Sequence, residues 1–159
     1  DILPQFPELK LVVACARSVF WERFREEIEK RGLKDKVILA GFVSDEELVV
    51  LYQRALAFVF PSKSEGFGLP GLAAMAAGCP VISSNAGSLP EVYGRAAVYF
   101  DPNNKEELTS AIRKIRDDRG YREKLTETGE KRAKLFSWDK CAEETAKVYE
   151  SCLGLRSGK

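Results

Sequence analysis

The stretch "ALAFVFPSKSEGFGLPGLAAMAAGCPVISS", residues 55–84, decides the fold. It opens on an apolar run of strand length, "ALAFVF" (55–60), and passes through a loop of Pro, Ser, Lys and Gly (61–68). It then enters a run of small residues with helical character and ends on a second apolar run, "PVISS" (80–84). Runs with no polar face belong to strands covered on both sides, and two such strands joined through a helix are parallel neighbours. Pro70, just inside the small-residue run, suits the first turn of that helix.

The same alternation extends outward. "LKLVVACA" (9–16), "KVILAGF" (36–42) and "AVYFD" (97–101) are further runs of strand length. Between them lie "FWERFREEIEKRG" (20–32), closing on Gly32, and "SDEELVVLYQRA" (44–55), where Ser44 and Glu47 stand at capping-box spacing. Three helical segments follow at 105–118, 121–136 and 138–153. The prediction is an α/β fold: a Rossmann-like, doubly wound, mostly parallel sheet of all five runs, with helices at the carboxyl end. One domain spans residues 1–153, and 154–159 form a polar tail.

A chain of 159 residues is long enough to bury about 70% of its unfolded surface in one core. Its 25 basic and 24 acidic residues leave a net charge of +1, and nothing in that balance calls for nucleic acid or a lipid surface. No apolar run approaches the ~20 residues that span a bilayer, and no signal-peptide pattern opens the sequence, so a cytoplasmic location is the expectation. The four cysteines are widely spaced, which favours reduced, mostly buried thiols over a zinc site. With no histidine in the chain, any triad or metal site built on imidazole is excluded for these residues alone.

Ligands of such sheets bind beyond the carboxyl ends of the strands, and the loop after residue 60 is the richest of those places. It carries a literal G-x-G-x-x-G at Gly66, Gly68 and Gly71. A dinucleotide fingerprint sets its first glycine directly after a strand, with an acid ~20 residues on to hold the ribose. Here five residues separate Phe60 from Gly66, and the next strand ends in serines, so that reading fails on context. Two readings remain from the residues: an anion held by the amides near Gly68 and Leu69, or a turn that needs glycine only for its backbone angles.

The segment "SEGFGLPGLAAMAAGCPVI" (64–82), with its flanks and the "FSW" at 136–138, resembles the donor-binding, carboxyl-terminal domain of the retaining GT-B-fold glycosyltransferases of the glycosyl transferases group 1 type. The similarity runs from about residue 9 to 149. The resemblance implies that Glu65 is the catalytic-site carboxylate that touches hydroxyls of the transferred sugar. It also implies that the backbone of Gly66, Phe67, Gly68 and Leu69 holds sugar and distal phosphate. Gly41, Phe42, Val43 and Ser44 would lie along the nucleotide base, with Val43 its main-chain contact. The implied reaction moves a sugar from a nucleoside diphosphate donor to an acceptor hydroxyl with retention, and needs no cofactor or metal. For Glu65 the plainer alternative is an acid favoured by the dipole at a helix entry.

Two departures qualify the resemblance. The second glutamate of the family pair, which binds the ribose hydroxyls, falls at Ala73. This residue is either a lost or altered ligand or a small residue packed against the sheet. The family's first strand, with its Arg and Lys for the diphosphate, and the amino-terminal acceptor domain have no counterpart here. In the order 3-2-1-4-5-6 that strand is central, so runs 9–16 and 55–60 must pair directly, leave a gap or borrow a strand, and the exposed edge invites self-association. Arg17 could partly replace a phosphate cation, and an exposed loop arginine is the plainer and favoured alternative. The implied partners are thus a nucleotide sugar and the absent acceptor domain. A non-catalytic binding or scaffold module is the alternative function. A GT-B-fold epimerase is disfavoured, because such enzymes rely on a histidine.

Overall fold

A computed structural model describes residues 6–15 and 18–153. Arg17 and the expected polar tail, 154–159, lie outside the described residues. The chain alternates strand and helix: β1 (Leu11–Ala14), α1 (Val19–Lys30), β2 (Val37–Gly41), α2 (Asp45–Arg54), β3 (Phe58–Phe60), α3 (Leu69–Ala76), β4 (Val81–Ser84), α4 (Leu89–Tyr93), a 3-10 turn (Gly94–Ala96) and β5 (Ala97–Phe100). Helices α5 (Lys105–Asp117), α6 (Arg119–Ala133) and α7 (Trp138–Cys152) follow. Every ladder among the described residues is parallel.

The expected single sheet is corrected to two. β1 pairs only with β2, and β3, β4 and β5 form a second sheet in that order. These are the strand neighbours of a doubly wound sheet, except that β1 and β3 do not meet. β2 and β1 take places 3 and 2 of the 3-2-1-4-5-6 order, and β3, β4 and β5 take places 4, 5 and 6. β1 and β3 therefore flank the place of its strand 1, two ladder spacings of about 4.8 Å apart and beyond hydrogen-bonding reach of each other. The break shows in burial. All four residues of β4 are buried, as a central strand requires, whereas Leu11 and Val12 of β1 and Ile38 of β2 are exposed despite their apolar runs.

β4 carries the core. Successive residues of a strand point to opposite faces, so Val81 joins Leu72, Met75, Leu89, Val92 and Tyr93 on one side. Ile82 joins Phe100, Ala111, Ile115 and Leu125 on the other. Each buried aliphatic side chain here contributes about 1.5–3 kcal/mol. The β1–β2 unit is tied to α5: Phe6 is buried with the Arg116 guanidinium 4.4 Å from its ring centroid, and Glu8 pairs with Arg116 at 2.6 Å. It is tied to β3 and α3 through Tyr52, whose ring meets Phe58 edge-on at 5.3 Å and whose hydroxyl donates to the Pro70 carbonyl.

Local signals explain the helix ends. Ser44 caps α2, and both halves of its capping box with Glu47 are made. Ser18, Asn104, Asp118 and Ser137 cap α1, α5, α6 and α7 through their side-chain oxygens. Two further expectations are revised. The short α4 and its 3-10 turn were not expected, and only Cys79 of the four thiols is buried. Cys141 and Cys152 sit on α7, a helix without a buried residue, and Cys15 follows the exposed end of β1.

Candidate functional site

The loop between β3 and α3 is held from the next strand over. The Ser84 hydroxyl, at the end of β4, donates to the Ser62 carbonyl, and the Ser88 hydroxyl donates to the Glu65 carbonyl at 3.1 Å. Gly87, at φ +57°, passes so close that a Cβ there would lie 3.0 Å from the Glu65 carbonyl oxygen. Lys63 reaches across to the Asn103 side-chain oxygen at 2.8 Å. Within the loop the Ser62 hydroxyl stands 3.2 Å from Glu65 Oε2. These contacts set the half-buried Glu65 carboxylate at the carboxyl end of β3.

The helix behind Glu65 opens on Gly68, in the left-handed region at φ +95°, and no side chain caps it. Glu65 engages Ser62 rather than the start of α3, so it is not acting as a helix-entry cap. Pro70 has no N–H and the Gly71 N–H donates to the Gly68 carbonyl, so the uncapped start offers an anion the Leu69 N–H and the positive end of the helix dipole. Phe67 and Leu69 are exposed beside it.

The three glycines of the motif differ in what requires them. A Cβ on Gly68 would lie 2.5 Å from both Leu89 Cδ2 and Tyr93 Oη, and one on Gly71 would lie 2.3 Å from Tyr93 Oη. The turn reading therefore accounts for Gly68, and Gly71, inside α3, is required by the close approach of Tyr93. Gly66 has no positive φ, and a Cβ there would meet nothing within 4 Å. No internal contact requires glycine at 66, which leaves room for the close approach of something outside the chain.

At the end of β2, Gly41 takes φ +74° and turns the chain into the α2 cap. The Ser44 N–H donates to Glu47 Oε2 at 2.8 Å and its hydroxyl accepts from the Glu47 N–H, so both groups are engaged inside the chain. Phe42 is 83% exposed and Val43 half-buried. Ala73 is exposed on α3, in line with Leu69 one turn earlier, while Leu72, Ala74 and Met75 face the core. The packing explanation for Ala73 is thereby set aside. Among the described residues no three His, Cys, Asp or Glu side chains gather in a way that could hold a metal ion. No described helix is long and apolar enough to cross a membrane.

Sequence reasoning missed Ser62, Ser88 and Tyr93 as loop supports. Ser62 and Ser88 carry a faint signal as hydroxyls flanking strand ends, but Tyr93 carries none. Its hydroxyl donates to the Gly68 carbonyl at 2.6 Å across 25 positions of sequence.

Comparison with known proteins gives the family and the fold. The O-antigen chain mannosyltransferase B of Escherichia coli is 42% identical over 134 residues, 84% of this chain and 34% of that protein. The MMP alpha-(1->4)-mannosyltransferase of Mycolicibacterium hassiacum is 38% identical over 150 residues, 92% of this chain and 36% of that protein. The chain thus spans about a third of the length of these relatives. Among solved structures, the sucrose-phosphate synthase of Thermosynechococcus elongatus superposes with a TM-score of 0.85 at 28% identity, over 96% of this chain and 41% of that one. Anabaena HepE, solved with UDP-glucose, superposes at 0.82 and 20% identity over 91% of this chain and 42% of its own, a likeness of fold alone. Residues 1–132 match the family model Glycosyl transferases group 1, and the chain belongs to that family.

Proposed function

We propose that this chain is the nucleotide-sugar-binding part of a glycosyltransferase that moves a sugar from a nucleoside diphosphate donor to an acceptor hydroxyl with retention. The observation that carries the reading is the uncapped start of α3 directly behind a braced loop that presents Glu65. In this reading the Glu65 carboxylate accepts hydrogen bonds from sugar hydroxyls, charge-assisted and therefore strong. The amides from Gly66 to Leu69 meet the distal phosphate, where negative charge grows as the diphosphate departs. Phe42, almost wholly exposed, offers a flat apolar face to the base, and Val43 offers its backbone. The mannosyl transfer named for the Escherichia coli and Mycolicibacterium hassiacum relatives supports mannose as the transferred sugar.

The proposal includes a cytoplasmic reaction without a metal ion, and acceptor contacts made by a separate amino-terminal domain. A second reading, a binding or scaffold module without catalysis, is favoured by Ala73, an exposed position with no carboxylate for the ribose. Titration with UDP-glucose and GDP-mannose, followed by amide NMR shifts, separates the two. Shifts centred on Glu65–Leu69 and on Phe42–Val43 support the transferase reading, and silence with both donors supports the scaffold.

A further inference from the structure

The residues that hold the donor loop form a closed circuit. Tyr93, fully buried at the end of α4, donates to the carbonyl of Gly68 at 2.6 Å. Burial pushes its hydroxyl up to about 12, so it stays a donor at any ordinary pH. The two carbonyls just before it, Glu91 and Val92, accept from Nη2 and Nε of Arg132, each at 2.8 Å. The Arg132 guanidinium in turn lies 5.1 Å from the ring centroid of Phe136, and that ring meets Phe67 edge-on at 5.7 Å and 86°. Phe67 and Gly68 are adjacent, so the path ends where it began.

We propose that Arg132 and Phe136, at the junction of α6 with α7, are positioning residues for the sugar-phosphate loop, fixing Phe67 and Gly68 from opposite sides. The planar fork of Arg132 suits this place, because it spans two neighbouring carbonyls while its face packs on an aromatic ring. α6 is itself seated firmly beneath α3: Gly129 lets it approach so closely that a Cβ there would lie 3.1 Å from Met75 Cγ. The circuit transmits that rigid seat to a loop whose Phe67 is otherwise exposed. Without it, Phe67 loses its ring contact and the loop is held by Ser84, Ser88 and the Lys63–Asn103 contact, none of which reaches Phe67. The inference deepens the donor-binding reading and rests on it only for what the loop binds.

The test uses Phe136→Leu, which keeps apolar bulk and removes the ring, Phe136→Tyr, which keeps the ring, and Arg132→Lys, which keeps charge and loses the fork. In the free protein, amide shifts of Phe67 and Gly68 and hydrogen exchange at the Gly71 amide, which donates to the Gly68 carbonyl, report the loop directly. Phe136→Leu and Arg132→Lys are expected to move those shifts and speed that exchange, and Phe136→Tyr to restore both. Affinity for GDP-mannose or UDP-glucose, whichever the wild type binds, should fall between about twofold and tenfold, the range of one edge-to-face ring pair. Unchanged Phe67 and Gly68 resonances in folded Phe136→Leu, or in Arg132→Lys if the leucine variant does not fold, overturn the proposal. Loop signals that move while the wild type binds neither donor leave the circuit standing and sink the donor-binding reading instead.

Discussion

Restoring a carboxylate at position 73 is the sharpest probe of the proposed site. Ala73 lies four residues along α3 from Leu69, about 6 Å at 1.5 Å rise per residue, and faces solvent on the same side. In the proposed donor-binding reading, a glutamate there lies along the path from a phosphate at the α3 amides toward the ribose. Because the position is exposed, Ala73→Glu carries no burial penalty, and its helix-propensity cost is a few tenths of a kcal/mol. A charge-assisted hydrogen bond to a ribose diol is worth about 1.5–3 kcal/mol. Since ~1.4 kcal/mol is a factor of ten, nucleotide affinity should rise about tenfold to hundredfold. Calorimetry with UDP and GDP measures the gain, a 2′,3′-dideoxy nucleotide should erase it, and the melting temperature should stay nearly constant. An unchanged affinity, or a gain that survives loss of the diol, refutes the assignment of position 73 to the ribose.

Gly71→Ala should destabilise the protein by about 1–3 kcal/mol in urea unfolding, because its Cβ would stand 2.3 Å from Tyr93 Oη. Helix propensity alone predicts a gain of about 1 kcal/mol, so the sign of the change is the check. Burial pushes the hydroxyls of Tyr93 and Tyr99 from 10.0 up to about 12, so the folded chain holds those protons more tightly than the unfolded one. Their contribution is complete below pH 10 and lost as pH rises from 10 towards 12, and Tyr93→Phe should flatten part of that decline in urea titrations. Cys79, buried and pushed up to about 11, should resist a thiol reagent in the native state while Cys15, Cys141 and Cys152 react; four thiols reacting at one rate would contradict its burial. β1 and β3 each pair on one side only among the described residues, so the chain should self-associate, and sedimentation as a monomer across a wide concentration range would count against it.

The elements that sequence made legible are those whose cause is local. The α2 cap could be read because Ser44 and Glu47 stand three residues apart and each satisfies the other's backbone N–H. β4 could be read because a strand buried on both faces shows no polar alternation. The same rule misled for β1 and β2, which pair only with each other and leave Leu11, Val12 and Ile38 exposed. Strand pairing is non-local, and no property of residues 9–16 and 55–60 alone says whether they touch. α4 escaped notice for a different reason: five residues, one of them Pro90, span little more than one turn and show no period.

The glycine motif shows how the site itself divides between legible and hidden. As a string, Gly66, Gly68 and Gly71 match a dinucleotide fingerprint, and their distance from Phe60 and the serines that end the next strand argue against it. In the fold the three part company, because Tyr93 lies across Gly68 and Gly71 and nothing lies across Gly66. Two of the glycines answer to a tyrosine more than twenty positions away, a requirement that a reader of the loop alone does not see. The third has no internal claimant and sits next to the one carboxylate that the loop is braced to present. The proposed anion site and a glycine turn therefore share these few residues. Gly68 builds the turn, Gly71 makes room for Tyr93 against α3, and the turn sets the uncapped helix start beside which Gly66 leaves the approach open.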